Sequence, residues 1–298
     1  MAESTRRCAV VTGANKGLGW GIVKQLASNG IMVVLTARDE KRGLEAVEKL
    51  KGFGLSDHVV FHQLDVTDTA SIASLAEFIK TQFGKLDILV NNAGVGGTTI
   101  DYEKLATLSI SGTEEDVQNV WSKVLIQNYE LAEECLNVNY YGAKRTAEAL
   151  ISLLQLSDSP RIVNISSTMG MLKYISNEWA KGVLSDADRL SEDRIDEILS
   201  KFLRDFKEDS LETKGWPTFL SAYIISKAAM NAHTRILAKE YPNFSINCIC
   251  PGSVKTDMTN DKGMFSVEEG AAYPVRLALQ PHGGPSGLFF LLDQPHSF

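Results

Sequence analysis

The chain has 298 residues, 44% of them hydrophobic and 22% charged, which provides for one large core or two small ones and excludes a disordered or low-complexity protein. Its formal net charge of -7, with no concentrated run of Lys or Arg, argues against a nucleic-acid partner. No apolar stretch is long enough to span a membrane and a strand is expected from Cys8 onward, leaving no room for a signal peptide, so a soluble, cytoplasmic protein is expected.

In chain order, hydrophobic periodicity predicts a strand over 8–12, a helix over 19–29 with Ile22, Val23 and Leu26 on its apolar side, and an apolar strand over 31–36. The alternation continues with a helix over 44–51, a strand over 59–63, a helix over 70–83 and a strand over 86–90. A long stretch, 95–134, precedes a helix over 139–154 and a strand over 161–165. The last predicted elements are a helix over 223–240 and strands over 246–250 and 287–292. Near-continuous apolar strands separated by amphipathic helices describe an α/β fold, a doubly wound parallel sheet of Rossmann type. No repeat or linker divides it, so 1–298 reads as a single domain. The cysteines at 8, 135, 248 and 250 are scattered and have no partner pattern, so neither a metal nor a disulfide framework is expected.

The first chemistry lies in Thr12-Gly-Ala-Asn-Lys-Gly-Leu-Gly19, between the first strand and helix. Gly13, Gly17 and Gly19 lack side chains where a backbone and a helix N-terminus can approach a pyrophosphate. The spacing differs from the commoner Gly-x-Gly-x-x-Gly, and a tight turn without a ligand is the alternative reading. At the end of the second strand, where a dinucleotide's adenosine ribose lies, an acid would take a 2′-hydroxyl and a cation a 2′-phosphate. Arg38 holds that place and Lys16 can add a second charge, which favours NADP over NAD. Asp39 suits the cap of the following helix.

Further along, Tyr223 and Lys227 stand one helical turn apart on the same face. A phenol has a free pKa of about 10, and a nearby ammonium that favours the phenolate is expected to lower it, making a proton donor. In isolation Tyr-x-x-x-Lys is an ordinary surface pair. Here the glycine turn and the serine pair Ser166-Ser167 precede it, each after a strand-like run.

Together Thr12-Gly-x-x-x-Gly-x-Gly19, Leu64-Asp-Val66, Asn91-Asn-Ala-Gly94, Asn139, Ser167, Tyr223-x-x-x-Lys227 and Pro251-Gly252 resemble the short-chain dehydrogenase/reductase family over nearly the whole chain. Gly30-Ile-Met-Val-Val-Leu-Thr, His62-Gln-Leu-Asp-Val-Thr-Asp68 and Leu154-Gln-Leu-Ser-Asp-Ser-Pro-Arg161 are similar to its plant salutaridine, menthone and neomenthol reductases. The resemblance implies a catalytic tetrad of Asn139, Ser167, Tyr223 and Lys227. Ser167 is preferred to Ser166 because two residues separate it from Gly170. By the same analogy Lys227 grips the nicotinamide ribose and Asn139 anchors a water that connects Lys227 to solvent. The implied NADP contacts are Gly13, Asn15, Lys16, Gly17, Leu18 and Gly19 of the turn, then Arg38, Asp65, Val66, Asn91, Ala93 and Gly94. Tyr223, Lys227, Pro251, Gly252, Val254 and Thr256 complete them. Asp65 also suits a simple turn.

Two departures follow from the resemblance. Ser167 and Tyr223 stand 56 positions apart, far beyond the family's ordinary spacing, so an insertion is expected at about 171–220. Within it Ile195, Ile198, Leu199, Phe202, Leu203 and Phe206 recur at helical spacing behind Ser191, a suitable N-cap. The similar reductases cover the family's dimer surface with such an insertion, which implies a monomer. The stretch 95–134, with Trp121, Tyr129, Gly96 and Gly97, suits either a lid over the cleft or ordinary packing. The expected activity is NADPH-dependent reduction of a bulky, apolar cyclic ketone, monoterpenoid or alkaloid, to a secondary alcohol. Met169, Met171, Leu172 and Met258 are expected in an apolar substrate wall, with core packing the alternative. Reduction of a conjugated C=C bond and a non-catalytic dinucleotide scaffold are the other readings.

Overall fold

The structure is a computed structural model that describes residues 6–107, 120–121 and 123–298. Its main sheet contains β1 (Cys8–Val11), β2 (Met32–Ala37), β3 (Val59–Gln63), β4 (Ile88–Asn91), β5 (Arg161–Ile165), β6 (Ser245–Cys250), β7 (Phe289–Leu291) and β8 (Gln294–His296). The strands lie in the order β8-β7-β6-β5-β4-β1-β2-β3. Every neighbouring pair is parallel except β7 and β8. The order reverses between β1 and β4, and the crevice at the carboxyl ends of those strands is where such sheets bind ligands.

Among the described residues, the helices of eight residues or more are α1 (Gly17–Ser28), α2 (Glu40–Lys51), α3 (Thr69–Phe83), α4 (Tyr129–Leu136), α5 (Ala143–Leu154), α6 (Glu178–Ser185), α7 (Glu192–Lys207), α8 (Ser221–Glu240) and α9 (Val267–Ala278). Because successive strand residues face opposite ways, each strand feeds two cores. On one side Val11, Val33 and Val163 meet Ile22 and Leu26 of α1, Leu50 of α2 and Val275 of α9. On the other, Val10, Val34 and Ile162 meet Leu75 and Ile79 of α3, Leu150 of α5 and Leu237 of α8.

The single-domain, doubly wound architecture agrees with the sequence expectation, and three local features differ from it. The helix expected over 139–154 begins earlier, at α4, whose start is capped by Asn128 accepting from the Leu131 amide, and a π turn at Asn137–Gly142 joins it to α5. The last part of the 95–134 stretch, read as either a lid or ordinary packing, is therefore helix. An earlier part, Thr99–Ile100, pairs antiparallel with Leu125–Ile126. Residues 108–119 and 122 of that stretch lie outside the described residues. Second, α9 is an unforeseen helix that packs on α1. Third, the chain turns back after β7 to add the antiparallel edge strand β8.

The insertion carries α6 and α7. Ser191 caps α7 by accepting from the Arg194 amide at 3.3 Å, and Ile195, Ile198, Leu199 and Phe202 are buried. They form a third core with Ala132 and Leu136 of α4, Ala222, Ile225 and Ala229 of α8, and Trp216. Burying each such large side chain contributes about 1.5–3 kcal/mol. Polar contacts fix the register of α7: Glu192 meets Lys144 of α5 at 2.8 Å and His233 of α8 at 3.0 Å. The buried Asp205 accepts from the Trp216 indole at 2.8 Å.

Candidate active site

The turn between β1 and α1 needs its glycines for stated reasons. Gly13 and Gly17 adopt φ of 62° and 56°, the left-handed region that side chains disfavour. Gly19 has no such φ, but a Cβ there would stand 2.5 Å from the Asn92 amide nitrogen. That amide braces the turn by donating to the carbonyls of Thr12 at 2.9 Å and Gly13 at 3.1 Å. The Thr12 hydroxyl accepts from the amides of Asn92 and Ala93, both at 2.9 Å. α1 starts at Gly17 without a side-chain cap and without an acid in its first turn. Its free N–H groups and positive dipole end face the crevice, an arrangement suited to an anion.

Arg38 follows β2, is exposed, and has no ion-pair partner among the described residues. Asp39 caps α2 by accepting from the Arg42 amide at 2.9 Å. Lys16 is not free: its ammonium pairs with Asp257, whose carboxyl it holds below the ordinary range. Arg42, which the sequence reads only as part of a solvated helix start, also stabilises the charge of Asp257 and thus belongs to the same electrostatic surround.

The remaining predicted cofactor residues gather at the same strand ends, with differing side-chain use. Asp65 accepts from the Thr67 amide and hydroxyl at 2.9 and 2.7 Å, so one carboxylate oxygen is engaged in a turn. Val66 is buried. Asn91 turns its side chain into the interior and donates to Asn164 at 2.8 Å. Gly252 has a φ of 80°, beyond Pro251. The Val254 carbonyl accepts from the Thr259 hydroxyl at 2.7 Å, and the Thr256 methyl reaches Gly17 so closely that a Cβ there would meet it at 3.2 Å. Asn15 and Leu18 are half-buried within the turn.

The tetrad residues come together beside this crevice. Lys227, 4% exposed, donates from its Nζ to the Ile165 carbonyl at 2.8 Å, and the same Nζ lies 5.6 Å from the centre of the Tyr223 ring. Burial brings the lysine pKa down to about 8. Gly94 leaves room here, since its Cβ would sit 3.7 Å from Nζ and 3.2 Å from the Asn139 oxygen. Ser166 is buried and donates to Asn231 at 2.6 Å, whereas Ser167 is half-buried, with its hydroxyl beside the Tyr223 phenol.

The expectation that Lys227 lowers the phenol's pKa is not met. Burial pushes Tyr223 up to about 12, and the opposing pull comes from Ser167. The physical reason is placement: the ammonium is spent on the Ile165 carbonyl. Asn139 is fully enclosed, and its amide donates to Val95 O, Ser226 Oγ and Cys135 Sγ while accepting from Val95 N. With both ends of the amide engaged, a water at this residue would need a main-chain partner.

Of the expected substrate wall, Met169 and Leu172 are half-buried beside the insertion, and Met258 is exposed on the segment after β6. Met171 is a correction: it packs in the core against Cys248, Cys250 and Phe289 because its side chain lies on the sheet side of the loop. A groove of about 450 Å³ runs past Met169, Tyr174, Trp216, Phe219 and Ile224, the residue next to Tyr223. The insertion supplies most of its wall. No described helix is long and apolar enough to cross a membrane.

Comparison with known proteins agrees with this fold. The family model described as short chain dehydrogenase matches residues 7–179 and 210–265, leaving out all of α7. The (+)-neomenthol dehydrogenase of Arabidopsis thaliana is 58% identical over 301 residues, covering 100% of both chains. The solved structure of salutaridine reductase from Papaver somniferum superimposes with a TM-score of 0.90 at 56% identity, covering 96% of this chain and 99% of that one. Menthone neomenthol reductase from Mentha piperita gives a TM-score of 0.85 at 48% identity, covering 98% and 100%.

Proposed function

The chain belongs to the short chain dehydrogenase family, and from that premise we propose that it is an NADPH-dependent reductase of a bulky, mostly apolar cyclic ketone, giving a secondary alcohol. One observation carries the reading: the Tyr223 phenol beside the Ser167 hydroxyl, with the Lys227 ammonium 5.6 Å from its ring, at the carboxyl ends of the strands. A phenol pushed up to about 12 is protonated at neutral pH and is therefore an acid in waiting.

The residues fit a dinucleotide. Gly13 and Gly17 take left-handed φ and Gly19 has no room for a Cβ, so the turn is a compact one that bares its backbone; the start of α1 is uncapped, and Arg38 suits a 2′-phosphate. When bound, NADPH supplies a hydride to the substrate's carbonyl carbon. The chain's own groups do the rest: Ser167 donates a hydrogen bond to the carbonyl oxygen, and Tyr223 transfers its proton to that oxygen as negative charge develops there. Lys227, whose ammonium is turned to the Ile165 carbonyl, would also hold the nicotinamide ribose. Arg38, aided by Arg42, selects NADPH over NADH.

The relatives named for neomenthol, menthone and salutaridine support a monoterpenoid or alkaloid ketone, and the groove of about 450 Å³ has the size of a small-molecule pocket. The cover of α7 over α4 and α8 supports a monomer. Four buried, unpaired cysteines suit the reducing cytoplasm.

The test is incubation with NADPH and a panel of cyclic ketones, with chiral analysis of products. NADPH consumption with a secondary alcohol as product is expected. A saturated ketone formed from an enone would mean C=C reduction instead, and cofactor binding without turnover on any substrate would mean a dinucleotide-binding scaffold.

A further inference from the structure

The helix that carries Tyr223 lacks a cap of its own. Its N-cap position is Leu220, which cannot accept a hydrogen bond from its side chain and which adopts φ 48°, ψ 38°, the left-handed region. The cap comes from a residue far away in sequence. Gln127 Oε1 accepts from the Ser221 amide at 2.8 Å and from the Ser221 hydroxyl at 2.9 Å, while Gln127 Nε2 donates to the Thr218 carbonyl at 2.7 Å. The amide's orientation is unambiguous, because a main-chain carbonyl only accepts and a main-chain N–H only donates. One side chain thus grips both ends of the strained turn from Thr218 to Ser221, and Tyr223 is the third residue of the helix that this turn starts.

Gln127 is itself held on both sides. It follows Leu125–Ile126, which pairs with Thr99–Ile100, and it precedes Asn128, the cap of α4. At the other end of the same stretch, Val95 is held by both ends of the Asn139 amide. Val95 is therefore tied to the tetrad, and the pair of strands Thr99–Ile100 and Leu125–Ile126 leads through Gln127 to the first turn of α8.

The geometry points to Gln127 as a positioning residue for Tyr223, capping the proton donor's helix in place of Leu220 and linking its first turn to the Leu125–Ile126 strand. This rests on Tyr223 being the proton donor. Residues that only aim a reacting group still matter, because small misplacements of that group cost rate steeply.

The test compares Gln127→Met, which keeps the length and loses all polar contacts, with Gln127→Glu, which keeps the acceptor for Ser221. The readouts are ketone-reduction kinetics, NADPH affinity by fluorescence, and amide hydrogen exchange at the start of α8. Q127M is expected to lower kcat by about tenfold with NADPH Kd and KM within about twofold, and to speed exchange over 221–225. Q127E is expected to restore both kcat and exchange protection to within about threefold of the wild type. Unchanged kcat or unchanged exchange in Q127M, or a Q127E no better than Q127M, overturns the assignment. Should Q127M fail to fold, Ser221→Ala, which removes one of the two contacts to Oε1, is expected to speed exchange at the same amides, and no change there overturns it. If the wild type reduces no ketone, the functional reading fails by itself while exchange still decides whether Gln127 caps α8.

Discussion

Gly170 and Lys227 touch so closely that a Cβ on the glycine would stand 2.7 Å from the lysine's main-chain carbonyl carbon. The loop that presents Ser167 and the helix that presents Tyr223 are therefore pressed together at one fixed separation. Gly170→Ala is expected to destabilise the fold by about 1–3 kcal/mol, the range for overpacking, and to lower kcat by moving Ser167 off the phenol. Denaturant midpoints and turnover, measured together, check it; an unaltered variant in both would mean the loop yields without cost.

Tyr223→Phe is expected to abolish reduction while leaving NADPH binding largely intact, because only the proton donor is lost. Retention of more than about a tenth of wild-type turnover would refute its role. Lys227→Ala is expected to weaken both turnover and cofactor binding. It also leaves the Ile165 carbonyl without its 2.8 Å partner, so a lower melting temperature accompanies it.

The pH dependence follows from two opposite shifts. Lys227, lowered to about 8, is charged below that pH, and Tyr223, raised to about 12, is protonated throughout the neutral range. Reduction needs the phenol's proton and the ammonium's grip on the cofactor, so kcat/KM for NADPH is expected to be flat near neutrality and to fall as pH rises through about 8. Oxidation of the alcohol, which needs the phenol's proton removed, is expected to rise in the alkaline range. A reduction rate that climbs above that point would show that Lys227 charge is not required.

For cofactor choice, Arg38→Asp is expected to move preference towards NADH. A charge-assisted contact is worth about 1.5–3 kcal/mol, so at least a tenfold change in the NADPH to NADH ratio of kcat/KM is expected. Since Lys16 is already paired with Asp257, an unchanged ratio would direct attention to Arg42.

Docking of the insertion is testable at acid pH. His233, first, and then Lys144 hold the Glu192 carboxyl down from 4.5 to about 2. A depressed carboxyl contributes stability that is complete above its unfolded pKa and lost as pH falls through its folded one. The wild type is therefore expected to lose stability between pH 4.5 and about 2 more steeply than Glu192→Gln. Light scattering of the wild type is expected to give the chain mass of 32.7 kDa; a dimer mass would mean that α7 builds an interface.

Legibility from sequence divided along physical lines. β5 falls where its apolar run predicts it, because a strand buried on both faces announces itself locally, and the edge strand β3, though only Val59 of it is fully buried, keeps the expected bounds 59–63. The α7 face and its Ser191 cap are likewise local patterns. Asn92 was not legible, since its bonds to Thr12 and Gly13 join residues 80 and 79 positions apart. Gln127 was hidden for the same reason. The shift at Tyr223 was misjudged because i,i+4 spacing says that two side chains share a face and nothing about where the ammonium points. α9 did carry a signal, the Ser266 and Glu269 capping box, although Pro274 within it weakens the helical pattern.

The π turn at Asn137–Gly142 bears on what the neighbouring helix can tolerate. It absorbs about one extra residue, roughly 100° of rotation in an α-helix, so α5 is set back in phase from α4. One continuous rod thereby serves two masters: Ala132, Cys135 and Leu136 face the insertion's core, while Ala147, Leu150 and Leu154 face the sheet. Removing a single residue between them would restore an unbroken spiral and swing one of those faces away from its partners, so this stretch has a fixed reading frame.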